Sequence, residues 1–188
     1  MGSDSSERFA RVASAFTACV EAVPEDAWSR PAPCEGWTAR DVVRHLVEWL
    51  PGPGFLLGTF GVPTGPIPSV EDDPAGAWGA VRDAIQAGLD DPVVAQRVED
   101  CGPPGQLSFE AAVDMTCTPD VLIHTWDLAT ATGQPAQLDP GLVDACIAMF
   151  LPDMPERGRA GGIVGPAVPV ADDAAPQDRL LAAMGRTP

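Results

Sequence analysis

Apolar residues at Phe9, Val12, Phe16, Cys19, Val20 and Val23 follow one another at steps of three and four, the spacing that lines one face of an α-helix. Ser5-Ser6-Glu7 opens this series and Pro24 stops it, so a first helix is predicted over 5–23. After the turn-rich segment Pro31-Ala-Pro-Cys-Glu-Gly-Trp37, Thr38 and Asp41 form a T-x-x-D variant of the capping box. They begin a second helix through Leu50, striped by Val42, Val43, Leu46 and Leu50 and ended by Pro51-Gly-Pro-Gly. Residues 51–70 are rich in Gly and Pro and predict a long loop. Asp73-Pro74 sets an N-cap and first-turn proline before a third helix with Trp78, Val81, Ile85 and Leu89 on one face. Cys101-Gly-Pro-Pro-Gly is a break. Ser108 then caps a fourth helical stretch that runs to Thr132, with Gly133 in the C-terminal glycine position. Pro119 falls inside this stretch, where proline removes a backbone hydrogen bond, so Thr118-Pro119 is read as a restart of the helix. Asp139-Pro140 opens a fifth helix to about Leu151.

Four main helices with one long connection predict an all-α fold, an up-and-down four-helix bundle over about 5–151. The remainder, 152–188, reads as an irregular C-terminal extension with one extended candidate, Gly165 to Val170, and a short last helix from Gln177 to Met184. No internal repeat and no second hydrophobic pattern appear, so 1–188 is taken as a single domain.

Composition narrows the function classes. The chain is 45% hydrophobic and 20% charged, as globular proteins are, and carries a net charge of −16. That field repels phosphate backbones and anionic lipid, which argues against nucleic-acid and membrane-surface roles. No apolar run reaches the ~20 residues that span a bilayer. The first residues, Met1 to Glu7, lack a basic and an apolar leader region, so a cytoplasmic location is expected. Five scattered cysteines without a C-x-x-C argue against a disulfide framework and a cysteine zinc cage. Lys, Asn and Tyr are absent, which points to a GC-rich genome, and without lysine the 51–70 glycines are no phosphate loop.

The chain has two histidines, His45 and His124. His45 lies at the edge of the second helix's apolar stripe, beside Trp49 and Asp41. On the fourth helix Asp120, His124 and Asp127 fall within a narrow sector at steps of four and three, flanked by Val121 and Leu128. A polar stripe beside an apolar face needs a reason, because unpaired buried carboxylates are costly. A cation is one reason, since Asp120 and His124 one turn apart can face a single ion. Hydrogen bonding of His124 to either aspartate, with no ion and with His45 as an edge residue of the core, is the other, and spacing alone favours it.

The words Pro33-Cys-Glu-Gly-Trp-Thr-Ala-Arg-Asp-Val-Val-Arg-His-Leu46 and Asp120-Val-Leu-Ile-His-Thr-Trp-Asp-Leu-Ala-Thr-Ala-Thr-Gly133, with the ending Arg179-Leu-Leu-Ala-Ala-Met-Gly-Arg-Thr-Pro188, carry a resemblance. The chain resembles the DinB-like metalloproteins, in the actinobacterial branch related to the metal-binding domain of mycothiol-dependent maleylpyruvate isomerase. The resemblance implies a four-helix bundle with a metal held by a histidine of the second helix and an E-x-x-x-H pair of a later one. Transferred to this sequence, the ligands are His45, Asp120 and His124, with aspartate where glutamate is usual. It also implies an outer role for Asp127 and, as thiol cosubstrate, mycothiol.

Two histidines and a carboxylate with one open position are the pattern of a catalytic site, which zinc suits best, with nickel or iron as alternatives. The resulting expectation is a divalent-metal protein, a mycothiol-dependent transferase or isomerase acting on a small molecule. The alternative is a non-enzymatic metal- or small-molecule-binding module of the same fold whose site has drifted. A bundle with no metal is a third reading, and a homodimer stays open. Trp37, Trp49, Trp126 and the 51–70 loop are candidates for lining the approach, with core packing as their alternative. Cys34, lacking a spare histidine to activate it, is read as structural.

Overall fold

The computed structural model describes residues 3–102, 104–149, 151, 159–160 and 164–188. In chain order the helices are α1 (Asp4–Glu21), α2 (Ala39–Trp49), α3 (Leu56–Phe60), α4 (Pro74–Asp90) and α5 (Pro92–Ala95). A two-stranded antiparallel hairpin follows, β1 (Val98–Asp100) and β2 (Gln106–Ser108), with Glu99 opposite Leu107. Then come α6 (Phe109–Ala112), a π-helical turn (Val113–Cys117), α7 (Thr118–Thr132), α8 (Pro140–Met149) and α9 (Pro176–Ala183). Among the described residues the fold is all-α apart from that hairpin. Among the described residues no helix is long and apolar enough to cross a membrane.

The local signals that start the helices work as their chemistry requires. Ser3 Oγ accepts from the Ser6 amide to cap α1. Thr38 Oγ1 accepts from the Asp41 amide while Asp41 Oδ2 accepts from the Thr38 amide at 2.8 Å, a full capping box at the head of α2. Asp73 accepts from the Gly76 amide at α4, and Ser108 from the Ala111 amide at α6. Gly133, at φ 74°, closes α7 in the left-handed conformation that glycine takes without strain. Thr38→Ala is expected to cost about 1 kcal/mol of unfolding free energy in a urea titration, the usual loss for a helix cap. An unchanged midpoint would mean that α2 is held by packing alone.

α1, α2, α4 and α7 form the bundle, and their order around it is not their order in sequence. α1 packs against α7 and α4, and α2 packs against the same two, so α1 and α2 lie across one diagonal and α4 and α7 across the other. Diagonal partners need long connections. The segment from Ala22 to Thr38 and the stretch from Asp91 to Ser108 serve that purpose. The shared core draws Phe9, Val12 and Phe16 from α1, Val42, Leu46 and Leu50 from α2 and its end, Trp78, Val81 and Ile85 from α4, and Val121, Leu122 and Leu128 from α7. Phe16 meets Trp78 edge to face at 4.9 Å, and Trp78 Nε1 donates to Thr17 Oγ1.

Two local departures have physical reasons. The 51–70 stretch is not all loop, because Leu56, Leu57 and Phe60 are buried and fold into α3, which Gly61 ends at φ 62°. The 101–105 break is the turn of a hairpin, with Gly102 and Gly105 at positive φ. α7 starts afresh at Thr118 with Pro119 in its first turn, the restart that the sequence predicts. The backbone stays helical from Phe109 to Thr132, and the π turn just before the proline widens the ladder, with the Thr118 amide donating to Val113 O. Asp114 inside that turn accepts from Arg8 Nε at 3.0 Å, Arg8 Nη2 at 2.5 Å and Ser5 Oγ at 2.5 Å, tying it to α1. The extended candidate 165–170 forms no strand; the Val168 amide donates to Ala182 O of α9. The end expected for the fifth helix falls partly on residue 150, outside the described residues.

Candidate metal centre

α2 and α7 are neighbours in the ring, and their facing sides carry the two histidines. The imidazole rings of His45 and His124 lie 4.8 Å apart at 64°. Asp120, one turn before His124, sits between them: its Oδ2 is 3.2 Å from His45 Nε2 and its Oδ1 is 3.4 Å from His124 Nε2. Trp49 Nε1 donates to Asp120 Oδ2 at 3.1 Å and fixes the carboxylate. The three sequence-predicted site residues therefore come together, with one donor atom from each within 4.8 Å of the others. The shorter aspartate reaches both imidazoles.

Asp127 stands one turn behind. It is wholly buried, and its Oδ2 is 2.9 Å from His124 Nδ1. A carboxylate only accepts, so the His124 proton sits on Nδ1 and Nε2 is the nitrogen that faces Asp120. Cys34 Sγ donates to Asp127 Oδ2 at 3.3 Å, and Arg186 donates to both Asp127 oxygens, from Nη2 at 2.7 Å and Nε at 3.2 Å. Trp37 covers the pair of histidines, 5.0 Å from the His45 ring and nearly parallel to the His124 ring at 5.7 Å. Trp49 stacks beside His45 at 5.8 Å and Phe55 meets Trp49 edge to face. Trp126, also a lining candidate, is part of the core.

Burial grades across the site. His124 is 5% exposed, whereas Asp120 and His45 keep 27% and 29%, so the open side is at the latter two. Burial pushes the Asp120 carboxyl up, but the charge and hydrogen bond of His124, with those of His45, outweigh it and hold the group well below the usual carboxylate range. Burial likewise opposes the His124 cation, yet Asp120, Asp127 and Cys34 raise its pKa well above the ordinary value. Asp120, His124, Asp127 and Arg186 thus hold one another through charge and hydrogen bonds.

The donor set fits a divalent ion. Ligands about 2.0–2.1 Å from a tetrahedral zinc lie about 3.3–3.4 Å from one another. Each Nε2 has one Asp120 oxygen at a distance of that size, Oδ2 at 3.2 Å from His45 and Oδ1 at 3.4 Å from His124. The commitment of His124 Nδ1 to a carboxylate is the outer support that metal-binding histidines have.

Sequence reasoning missed Arg186 altogether and gave Cys34 no polar partner. A fully buried carboxylate demands a cation, and that demand was the available signal; nothing in the spacing says which arginine supplies it.

Fold and site together define a helical-bundle protein with an interior His–Asp–His donor cluster. The family model for the mycothiol maleylpyruvate isomerase N-terminal domain matches residues 9–52, which hold most of α1, Cys34, Trp37 and His45. Two uncharacterized proteins of Mycobacterium tuberculosis, from strains CDC 1551 / Oshkosh and ATCC 25618 / H37Rv, are each 30% identical to the chain over 94% of it and 94% of their own length. The chain belongs to the mycothiol maleylpyruvate isomerase N-terminal domain family. No solved structure matches it.

Proposed function

We propose that the protein binds one divalent metal ion, zinc by preference, through His45 Nε2, Asp120 and His124 Nε2, and that it is a thiol-dependent transferase or isomerase using mycothiol with a small electrophilic substrate. The observation that supports this most directly is the convergence of three donors within 4.8 Å of one another, with the remaining side left open to solvent at His45 and Asp120. A divalent ion there would polarise a bound water or thiol and lower its pKa. The chain's own residues supply the rest. Trp37 lies against both imidazoles and keeps water from that side, while Trp49 Nε1 orients Asp120. Asp127 holds the His124 proton on Nδ1. Trp49 and Phe55 give the open side an aromatic wall suited to a small organic substrate.

Metal titration of untagged protein tests the reading. One Co(II) or zinc ion per chain is expected, and mycothiol added to the cobalt form should bring in a sulfur-to-cobalt charge-transfer absorption. Absence of stoichiometric metal would reject the centre. Stoichiometric metal with no spectral response to the thiol would leave a metal-binding module and reject the thiol-dependent enzyme.

A further inference from the structure

Asp127 is the most deeply buried charge of the site, and what holds it comes from far along the chain. Gly185, at φ 81°, closes α9 in a Schellman turn in which the Arg186 amide donates to Leu181 O. The turn sends Arg186 back into the bundle, where its Nη1 donates to Met184 O and locks the guanidinium against its own backbone. The other edge of the guanidinium grips both oxygens of Asp127, and Nη2 also lies 3.2 Å from Cys34 Sγ. A two-pronged contact of this kind sets the plane of the carboxylate as well as its charge. The same Oδ2 receives His124 Nδ1.

We infer that Arg186 is a positioning residue of the centre: by fixing Asp127 it fixes the ring of His124, so that Nε2 faces Asp120 and His45. This rests on the reading of those three residues as metal donors. The alternative is that Arg186 only anchors the C-terminal segment.

The test compares wild type, Arg186→Ala, Arg186→Lys and Leu181→Ala, the last a buried α9 residue that keeps the carbonyl bonded by the Arg186 amide and whose side chain makes no bond to Asp127. Zinc affinity is measured by competition with a chromophoric chelator at a temperature where all four are folded. The His124 Nδ1 proton is followed by NMR in the metal-free protein. Arg186→Ala should weaken zinc binding roughly 10–100-fold, as loss of an outer-sphere partner does. Arg186→Lys should lie between it and wild type, because an ammonium restores charge without the fork. Leu181→Ala should lower Tm and leave zinc affinity unchanged. The slowly exchanging, downfield Nδ1 proton should persist in Leu181→Ala and vanish in Arg186→Ala. Wild-type affinity in Arg186→Ala, or equal weakening in Arg186→Ala and Leu181→Ala, overturns the inference. If wild type binds no zinc, the metal reading fails separately and the Nδ1 resonance decides: its loss in Arg186→Ala upholds the positioning role and its survival overturns it.

Discussion

Asp120→Ala is expected to strip the protein of most of its bound metal while leaving it folded. The carboxylate is the shared neighbour of both histidines, one oxygen toward each, and without it two imidazoles face a gap. Its side chain is 27% exposed, so water can take over the bonds it gave up to Trp49 and His45, and unfolding should change little. Asp120→Glu should retain the metal, since the longer side chain still places an oxygen between the rings. Elemental analysis of the untagged variants checks this. Equal metal content in wild type and Asp120→Ala would remove Asp120 from the donor set.

Asp127→Ala is expected to act in the opposite way, on the fold first. It leaves the Arg186 guanidinium, His124 Nδ1 and the Cys34 thiol without their shared acceptor in a buried place. Breaking a buried pair from one side costs about 3–5 kcal/mol. That is a large part of the ~5–15 kcal/mol that holds a domain together. Replacing both partners, Asp127→Ala with Arg186→Met, should cost less than Asp127→Ala alone, because no charge is then stranded. Urea titration measures both, and a loss below about 1 kcal/mol for Asp127→Ala would put the pair in the range of exposed ion pairs.

Acid should reproduce part of that loss. Burial pushes the Asp127 carboxyl up, but the hydrogen bond and charge of His124, then those of Arg186, bring it down to about 2. A group held lower in the folded chain than in the unfolded one adds stability above its unfolded pKa, about 3.9 for aspartate. The Asp127 contribution is therefore complete above about pH 5 and drains away as the pH falls toward 2.

How much of this could be read from the chain depended on distance along it. The capping box of Thr38 and Asp41, the Asp73-Pro74 start and the Gly133 stop are contacts within one helical turn, and each was legible. The Asp120, His124 and Asp127 stripe was legible for the same reason, being one face of one helix. α3, α5 and the hairpin were not, because elements of three to five residues are shorter than the period that would reveal them. Pro119 signalled a disturbance, but not that a π turn would absorb it. Arg186 lies 59 residues from Asp127, with no local pattern linking the two.

The ring order of the bundle also governs how the chain reaches this state. α1 finds its neighbours late: Ser5 bonds Asp114 across 109 positions, Cys19 bonds Thr125 O across 106, and Gln134 bonds Cys19 O across 115. Helical proteins usually fold fast because their contacts are local, and that advantage is reduced here. During synthesis at about 5–20 residues per second, α1 emerges and then waits on the order of 10 s before α7 exists to cover it. Through that interval Phe9, Val12 and Phe16 have no partner of their own kind but α4, so the nascent chain is a natural client for chaperones at its amino-terminal helix.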